Sequence, residues 1–298
     1  MNGNKKLLGF TLAVIAAIFW GVSGVFGQFV FEQRGMNAEW LVTVRCLSSG
    51  IVLLSFGLIK YGRNVFNIWK NRKDVISLLL FSIFGMLAIQ YTYFAAIQYS
   101  NAATATVLQY TGPAIIAIYL AVRNRNVPPL NEISAVSLVI LGTFLLVTHG
   151  SFDTLSISSL AFFWGLASAV AFAFYSIQPI RLLSKFSSPI VMGWSMLIAG
   201  IAFTTVHAPW NVEGTWDLEM YGSTVFIILF GSVFAFYAYL TALTLIGSQK
   251  TSVLASAEPL SATLISVFWL GVDFTITDTI GTLLIISAVF LLTRKGIV

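Results

Sequence analysis

The chain has 298 residues, of which 58% are hydrophobic and only 9% charged, with a mean hydropathy of +0.90. A soluble domain carries roughly 25% charged residues, so this composition excludes an ordinary soluble enzyme and places the chain in a bilayer. The net charge of +5 does not signal nucleic acid, because the basic residues sit at alternate ends of apolar segments rather than in a patch.

Ten apolar spans follow in order, at about 8–30, 38–59, 75–97, 102–122, 132–149, 157–180, 188–206, 220–243, 249–270 and 276–293. Each suits a hydrocarbon core of roughly 30 Å at about 1.5 Å per residue. The first span follows Lys5 and Lys6 and runs on without a small-x-small cleavage site, which predicts an uncleaved helix. Trp20 lies at its centre beside Gly21, Gly24 and Gly27, a small-residue face for close helix contact. The second span holds Arg45, about seven residues or roughly 10 Å below its end. That guanidinium can bind a substrate carboxylate or snorkel to headgroups or an outer carboxylate, and the structural role is the one expected. Cys46 lies in the same apolar run, with no second cysteine for a disulfide or thiol metal site. Lys60–Asp74 reads as a basic loop, with a surface-lying amphipathic turn anchored by Trp69 as the alternative.

From the third span the sequence repeats itself. Gln90 to Pro113 and Phe236 to Pro259 match at a constant offset of 146, with Tyr91 on Tyr237, Tyr93 on Tyr239 and Pro113 on Pro259. Each proline removes a mid-span hydrogen bond and frees a carbonyl, at Gln109 and at Ala255. Interrupted helices at matching positions of two halves point to a transporter site. Tyrosine hydroxyls need partners in a membrane, so the pairs are biased inward. Two residues apart on a helix is about 200°, so one member of each pair is expected at a cavity and the other in packing or at the interface. Trp40, Trp210, Trp216 and Trp269 fall at span ends and fit an interfacial belt, while Trp164 and Trp194 are intermediate in depth. Gln90 and Gln109 are the deepest amides, placed to orient a ligand or to join helices, whereas Gln28, Gln98 and Gln178 lie nearer span ends. His149 and His207 have no metal-ligand partner at useful spacing, so no metal is expected.

With the N-terminus inside, the inner segments hold fourteen lysines and arginines and the outer segments hold one, Arg34. That bias orients both termini to the cytoplasm. Five spans per half means that the second half enters from the opposite side, giving an inverted repeat, 1–150 and 151–298, as in secondary transporters.

These residues resemble the drug/metabolite transporter superfamily, specifically its EamA family. The resemblance rests on Trp20-Gly21, Arg45, the hairpin ending in Pro113, and Glu258-Pro259, within ten spans that cover the whole chain. Where the family often has a Gly-Glu pair after the fourth and ninth spans, this chain has Arg123-Asn124-Arg125 and Gly271-Val272-Asp273. The resemblance implies an all-α integral membrane protein with helices arranged around a central cavity, moving small metabolites by alternating access without an ATPase domain.

Away from the span ends, only Arg45 and Glu258 are charged side chains within spans. A charge at a helix centre costs about 2.5–3.5 kcal/mol on the insertion scale, so such groups face a bundle interior or a wet cavity. Glu258 is a candidate for proton coupling, for binding a substrate amine, or for a neutral interhelical hydrogen bond. Its counterpart in the first half is Gly112. The expected substrate-binding set is Trp20, Gln90, Tyr91, Tyr93, Gln109, Trp164, Tyr237, Tyr239 and Glu258, with Pro113 and Pro259 as kinks. Aromatic residues in that set can meet an apolar or quaternary-ammonium solute. The function expected is secondary active transport of amino acids, amines or related solutes across the cytoplasmic membrane. Partners are a small-molecule substrate, the lipid bilayer and protons, with no nucleic acid and no cofactor, in a monomer or weak homodimer. A facilitative channel or uniporter is the alternative, and a membrane-embedded enzyme a more distant one, since no second acid accompanies Glu258 away from the span ends. No phosphate-cradling glycine motif is present for an ATP-driven pump.

Overall fold

Hydrocarbon offers no water to a backbone N–H or C=O, so a chain this apolar is driven to bond those groups within each segment, as helices. The computed structural model describes residues 3–100, 102–125, 129–148, 158–255, 257–270 and 276–294, and all regular structure among them is helical. In the first half α1 is Gly3–Arg34, α2 is Ala38–Tyr61 and α3 is Arg72–Tyr99, followed by α4 (Ala102–Gln109), α5 (Gly112–Asn124) and α6 (Leu130–Thr148). In the second half α7 is Ser159–Ile177, α8 is the single turn Ile180–Leu183, α9 is Ser188–Phe203 and α10 is Leu218–Ile246. The chain ends with α11 (Ser248–Leu254), α12 (Ala257–Leu270) and α13 (Ile276–Arg294). Five helices are long and apolar enough to cross a membrane: Asn4–Arg34, Ala38–Trp69, Arg72–Tyr99, Ser159–Leu183 and Leu218–Ile246. The expected fourth and ninth spans are each built from two short helices, α4–α5 and α11–α12, interrupted just before Pro113 and Pro259.

The packing is symmetric between halves. α1 packs on α10, α11 and α12, while α7 packs on α3, α4 and α5. Exchanging the halves converts the first set into the second. The pairs α2–α9 and α6–α13 map onto themselves. At the α2–α9 crossing, Leu47 lies on Gly200, Gly50 on Leu197 and Leu54 on Gly193, so the two helices run antiparallel. The offset of 146 carries Leu47 to Gly193 and Leu54 to Gly200, so this crossing is its own counterpart. Glycine is required there because a Cβ on Gly50 would come within 2.6 Å of the Leu197 nitrogen. Both α3 and α10 contain a π-helical stretch, Phe81–Leu87 and Leu229–Phe234 respectively.

Polar links tie the halves together at both ends of the bundle. At one end Arg34 pairs with Asp217 at 2.9 Å and with Glu219, and the Thr215 N–H donates to the Arg34 carbonyl. Asp217 is held below the usual carboxylate range, first by the Met220 N–H that it caps and then by Arg34. At the other end Asp74 accepts from Arg181 at 3.0 Å and from Lys185 at 2.8 Å. Amides complete two helix starts: Gln98 accepts from the Ala38 N–H and Gln28 from the Ala102 N–H.

Two expectations are corrected. Gly62–Trp69 is a 3₁₀ helix rather than an open loop, because Val65 and Ile68, three residues apart, bury on one face. Trp40 is not a belt residue: it is 4% exposed and donates its indole N–H to the Pro209 carbonyl, whereas Trp210 and Trp269 are exposed. His149 and Gly271-Val272-Asp273 lie outside the described residues.

Filling the crossing is expected to destabilise. Gly50→Leu should cost about 1–3 kcal/mol, the usual penalty of overpacking, and lower the thermal unfolding midpoint in detergent. A Cβ added at Gly222, within α10, would meet nothing within 4 Å, so Gly222→Ala should raise that midpoint slightly through helix propensity.

Candidate functional site

α1 reaches the centre of the bundle along its small-residue face. Gly21 lies against Ser261 and the Glu258 carbonyl, Gly24 against the Tyr93 hydroxyl and Gly27 against the Phe94 ring. This approach puts Trp20 and Ser23, on the same helical face, at the wall of a central cavity. The remaining polar lining is Arg45 from α2, Gln90 and Tyr93 from α3, Gln109 from α4 and Glu258 from α12. Phe94, Phe172 and Phe236 supply apolar walls. The cavity has a volume of about 30 Å³. That is room for about two waters, so a metabolite needs the walls to part.

Arg45 is turned inward, contrary to the snorkelling role expected for it. It is 2% exposed, donates Nε–H to Ser232 Oγ at 2.8 Å and Nη2–H to the Gly231 carbonyl at 3.1 Å, and lies 4.7 Å over the Phe94 ring. Both bonding partners belong to the π-helical stretch of α10, where the altered backbone bonding lets a carbonyl and a hydroxyl face a neighbouring helix. The cation therefore finds neutral partners inside the bundle and needs no outer carboxylate.

Glu258 is 3% exposed and accepts from Tyr93 at 3.1 Å and from Tyr110 at 2.8 Å. Tyr110 stands at the break between α4 and α5, and its O–H also reaches the Ala255 carbonyl at 2.7 Å. This is the carbonyl that Pro259 deprives of its helical donor, and the Glu258 N–H completes it at 3.0 Å. One tyrosine thus joins the two interrupted helices. Proton counting shows how Glu258 enters this network. Thr106 donates to the Ala102 carbonyl, Tyr93 has one proton for Thr106 or Glu258, and Tyr110 has one for Ala255 or Glu258. A protonated Glu258 supplies a fourth donor and releases one tyrosine to its other partner.

The tyrosine pairs separate. Tyr93 lines the cavity, while Tyr91 donates to Glu39 at 3.0 Å and packs on Trp164 and Phe203 away from it. Tyr239 is buried behind the wall, hydrogen-bonded with Ser176 at 2.6 Å and packed against Trp20. Tyr237 and Trp164 do not line the cavity. Thus Trp20, Gln90, Tyr93, Gln109 and Glu258 are brought together, and Tyr91, Trp164, Tyr237 and Tyr239 are not. Sequence reasoning missed Ser23, on the Trp20 face at i+3, and Tyr110, whose position just before Gly112-Pro113 was its only signal. Pro113 and Pro259 follow the helix interruptions, as their positions imply.

Tyr110→Phe removes a donor shared by a buried carboxyl and a helix-break carbonyl. A loss of about 1–2 kcal/mol is expected, read as a lower unfolding midpoint in detergent.

Comparison with known proteins agrees with this architecture. The chain is 43% identical to the "Uncharacterized inner membrane transporter YicL" of Salmonella typhimurium, over 98% of this chain and 96% of that protein. It is 25% identical to the "Uncharacterized transporter YwfM" of Bacillus subtilis, over 97% of this chain and 95% of that one. A solved crystal structure shares the fold with a TM-score of 0.78 at 17% identity, covering 99% of this chain and 98% of its own. The EamA-like transporter family matches twice, over residues 7–148 and again over 159–294. The chain is therefore a multi-pass membrane protein and belongs to the EamA-like transporter family.

Proposed function

We propose that this protein is a secondary active transporter of small organic metabolites, working by alternating access across the cytoplasmic membrane. The observation that carries the reading is the central cavity. It lies among helices of both halves, carries buried charges, and has water-sized room in the present arrangement. A solute enters and leaves such a site only if the halves move against each other around it. In this reading the polar links at the two ends of the bundle, Arg34 with Asp217 and Asp74 with Lys185, open in turn.

The proposed topology is ten spans in two inverted five-helix repeats with both termini cytoplasmic. The antiparallel crossing of the equivalent helices α2 and α9 supports inversion, and the fourteen-to-one distribution of basic residues supports the orientation. The "inner membrane" in the name of the Salmonella relative supports the location. In this reading Trp20, Gln90, Tyr93, Gln109 and Glu258 contact substrate. Glu258 is the proposed proton-coupling group, with Tyr93 and Tyr110 on it and Arg45 on the same cavity as the other charge.

Purified protein in liposomes should show saturable counterflow of a substrate, whereas conductance far beyond carrier turnover would establish a channel instead. Glu258→Gln keeps an acceptor oxygen for one tyrosine and turns an N–H donor to the oxygen of the other, and should stay folded. If Glu258 carries the proton, that variant loses the pH dependence of net transport while retaining exchange. Unaltered pH dependence in the folded variant would remove the coupling role.

A further inference from the structure

The 3₁₀ turn between α2 and α3 has the build of a membrane-surface element. At three residues per turn, Val65 and Ile68 share one face, and Arg63, Phe66 and Trp69 share the next. The first face is buried, with Val65 close to Gly57 of α2. On the second, Phe66 is 47% and Trp69 38% exposed, which suits rings lying at headgroup level. The turn is also tied to the second half of the chain. Trp194 of α9 donates its indole N–H to the Val65 carbonyl at 3.0 Å and meets the Phe66 and Trp69 rings edge-on, at 5.6 and 5.1 Å.

Basic side chains gather at the same corner. Arg63, Lys70, Arg72 and Lys73 are exposed and take part in no ion pair among the described residues. In the first turn of α3, buried Asp74 draws in Arg181 and Lys185 from the second half, both of them half-exposed. One acid thus faces six basic residues where α3 meets the turn and α8. Further along α3, Ile76, Leu79 and Leu80 are exposed. A positive corner beside exposed rings and an apolar helix face is complementary to a molecule with an anionic head and hydrocarbon tails. A soluble anion matches only the charge.

We propose that this corner is a binding site for an anionic phospholipid. Its phosphate is received by Lys70, Arg72 and Lys73, its glycerol region rests on Phe66 and Trp69, and its chains follow α3. Because Trp194 shares the aromatic cluster, the bound lipid braces the turn of the first half against α9 of the second.

The test is thermal unfolding of the purified full-length protein in a neutral detergent, with dioleoylphosphatidylglycerol, dioleoylphosphatidylcholine or inorganic phosphate added. The two lipids share their chains and differ in net charge, and phosphate is the anion without chains. Phosphatidylglycerol is expected to raise the unfolding midpoint by about 2 °C or more above phosphatidylcholine, and phosphate to leave it unchanged. Lys70→Gln combined with Arg72→Gln and Lys73→Gln should remove that difference. Lys5→Gln combined with Arg123→Gln and Arg125→Gln takes the same charge from exposed positions elsewhere and should keep it. Equal effects of the two lipids, reproduction of the shift by phosphate, or equal loss in the two triple variants overturns the proposal. If the first triple variant does not fold, the ranking of the three additives on the natural protein decides the matter alone.

Discussion

Two ionisable side chains of opposite sign, Arg45 and Glu258, buried in an apolar bundle with no salt-bridge partner among the described residues, are the constraint on which the centre of this structure depends. Each is tolerated because irregular backbone supplies polar groups at depth. The π-helical stretch of α10 presents Gly231 and Ser232 to Arg45. The paired interruptions before Pro113 and Pro259 bring Tyr110, Ala255 and Glu258 into one network. Irregular backbone at membrane depth survives only where protein or a wet cavity covers it, and here both conditions meet in one place.

The close approach of α1 makes that convergence possible. Gly21, Gly24 and Gly27 sit against α12 and α3 with no space for a side chain, so Trp20 and Ser23 arrive at the cavity wall together. A face that elsewhere would serve helix association here also sets the dimensions of the cavity.

The two halves share their packing but not their chemistry. The helix pairings survive exchange of the halves, as does the glycine crossing of α2 with α9. The charged lining does not: the position of Glu258 is Gly112 in the first half, and Tyr110 has no tyrosine counterpart. A symmetric frame suits two-sided access, and an asymmetric lining suits recognition of one oriented solute.

Composition and spacing alone determined that the chain is helical and membrane-embedded, that it is built twice, where its helices would break, and that Glu258 sits beside one break. Those readings rest on backbone chemistry, hydropathy and proline, which act locally. Only the tertiary structure decided which face of each helix looks inward. In water an amphipathic pattern marks that face, but a helix apolar all round carries almost no such mark. For this reason hydropathy and depth alone send Arg45 outward, place Trp40 at the interface, and assign Tyr91, Trp164, Tyr237 and Tyr239 to a cavity they do not line. For Arg45 and Trp40, packing against a particular neighbour made the choice: the π stretch of α10 for the first and the Pro209 carbonyl for the second.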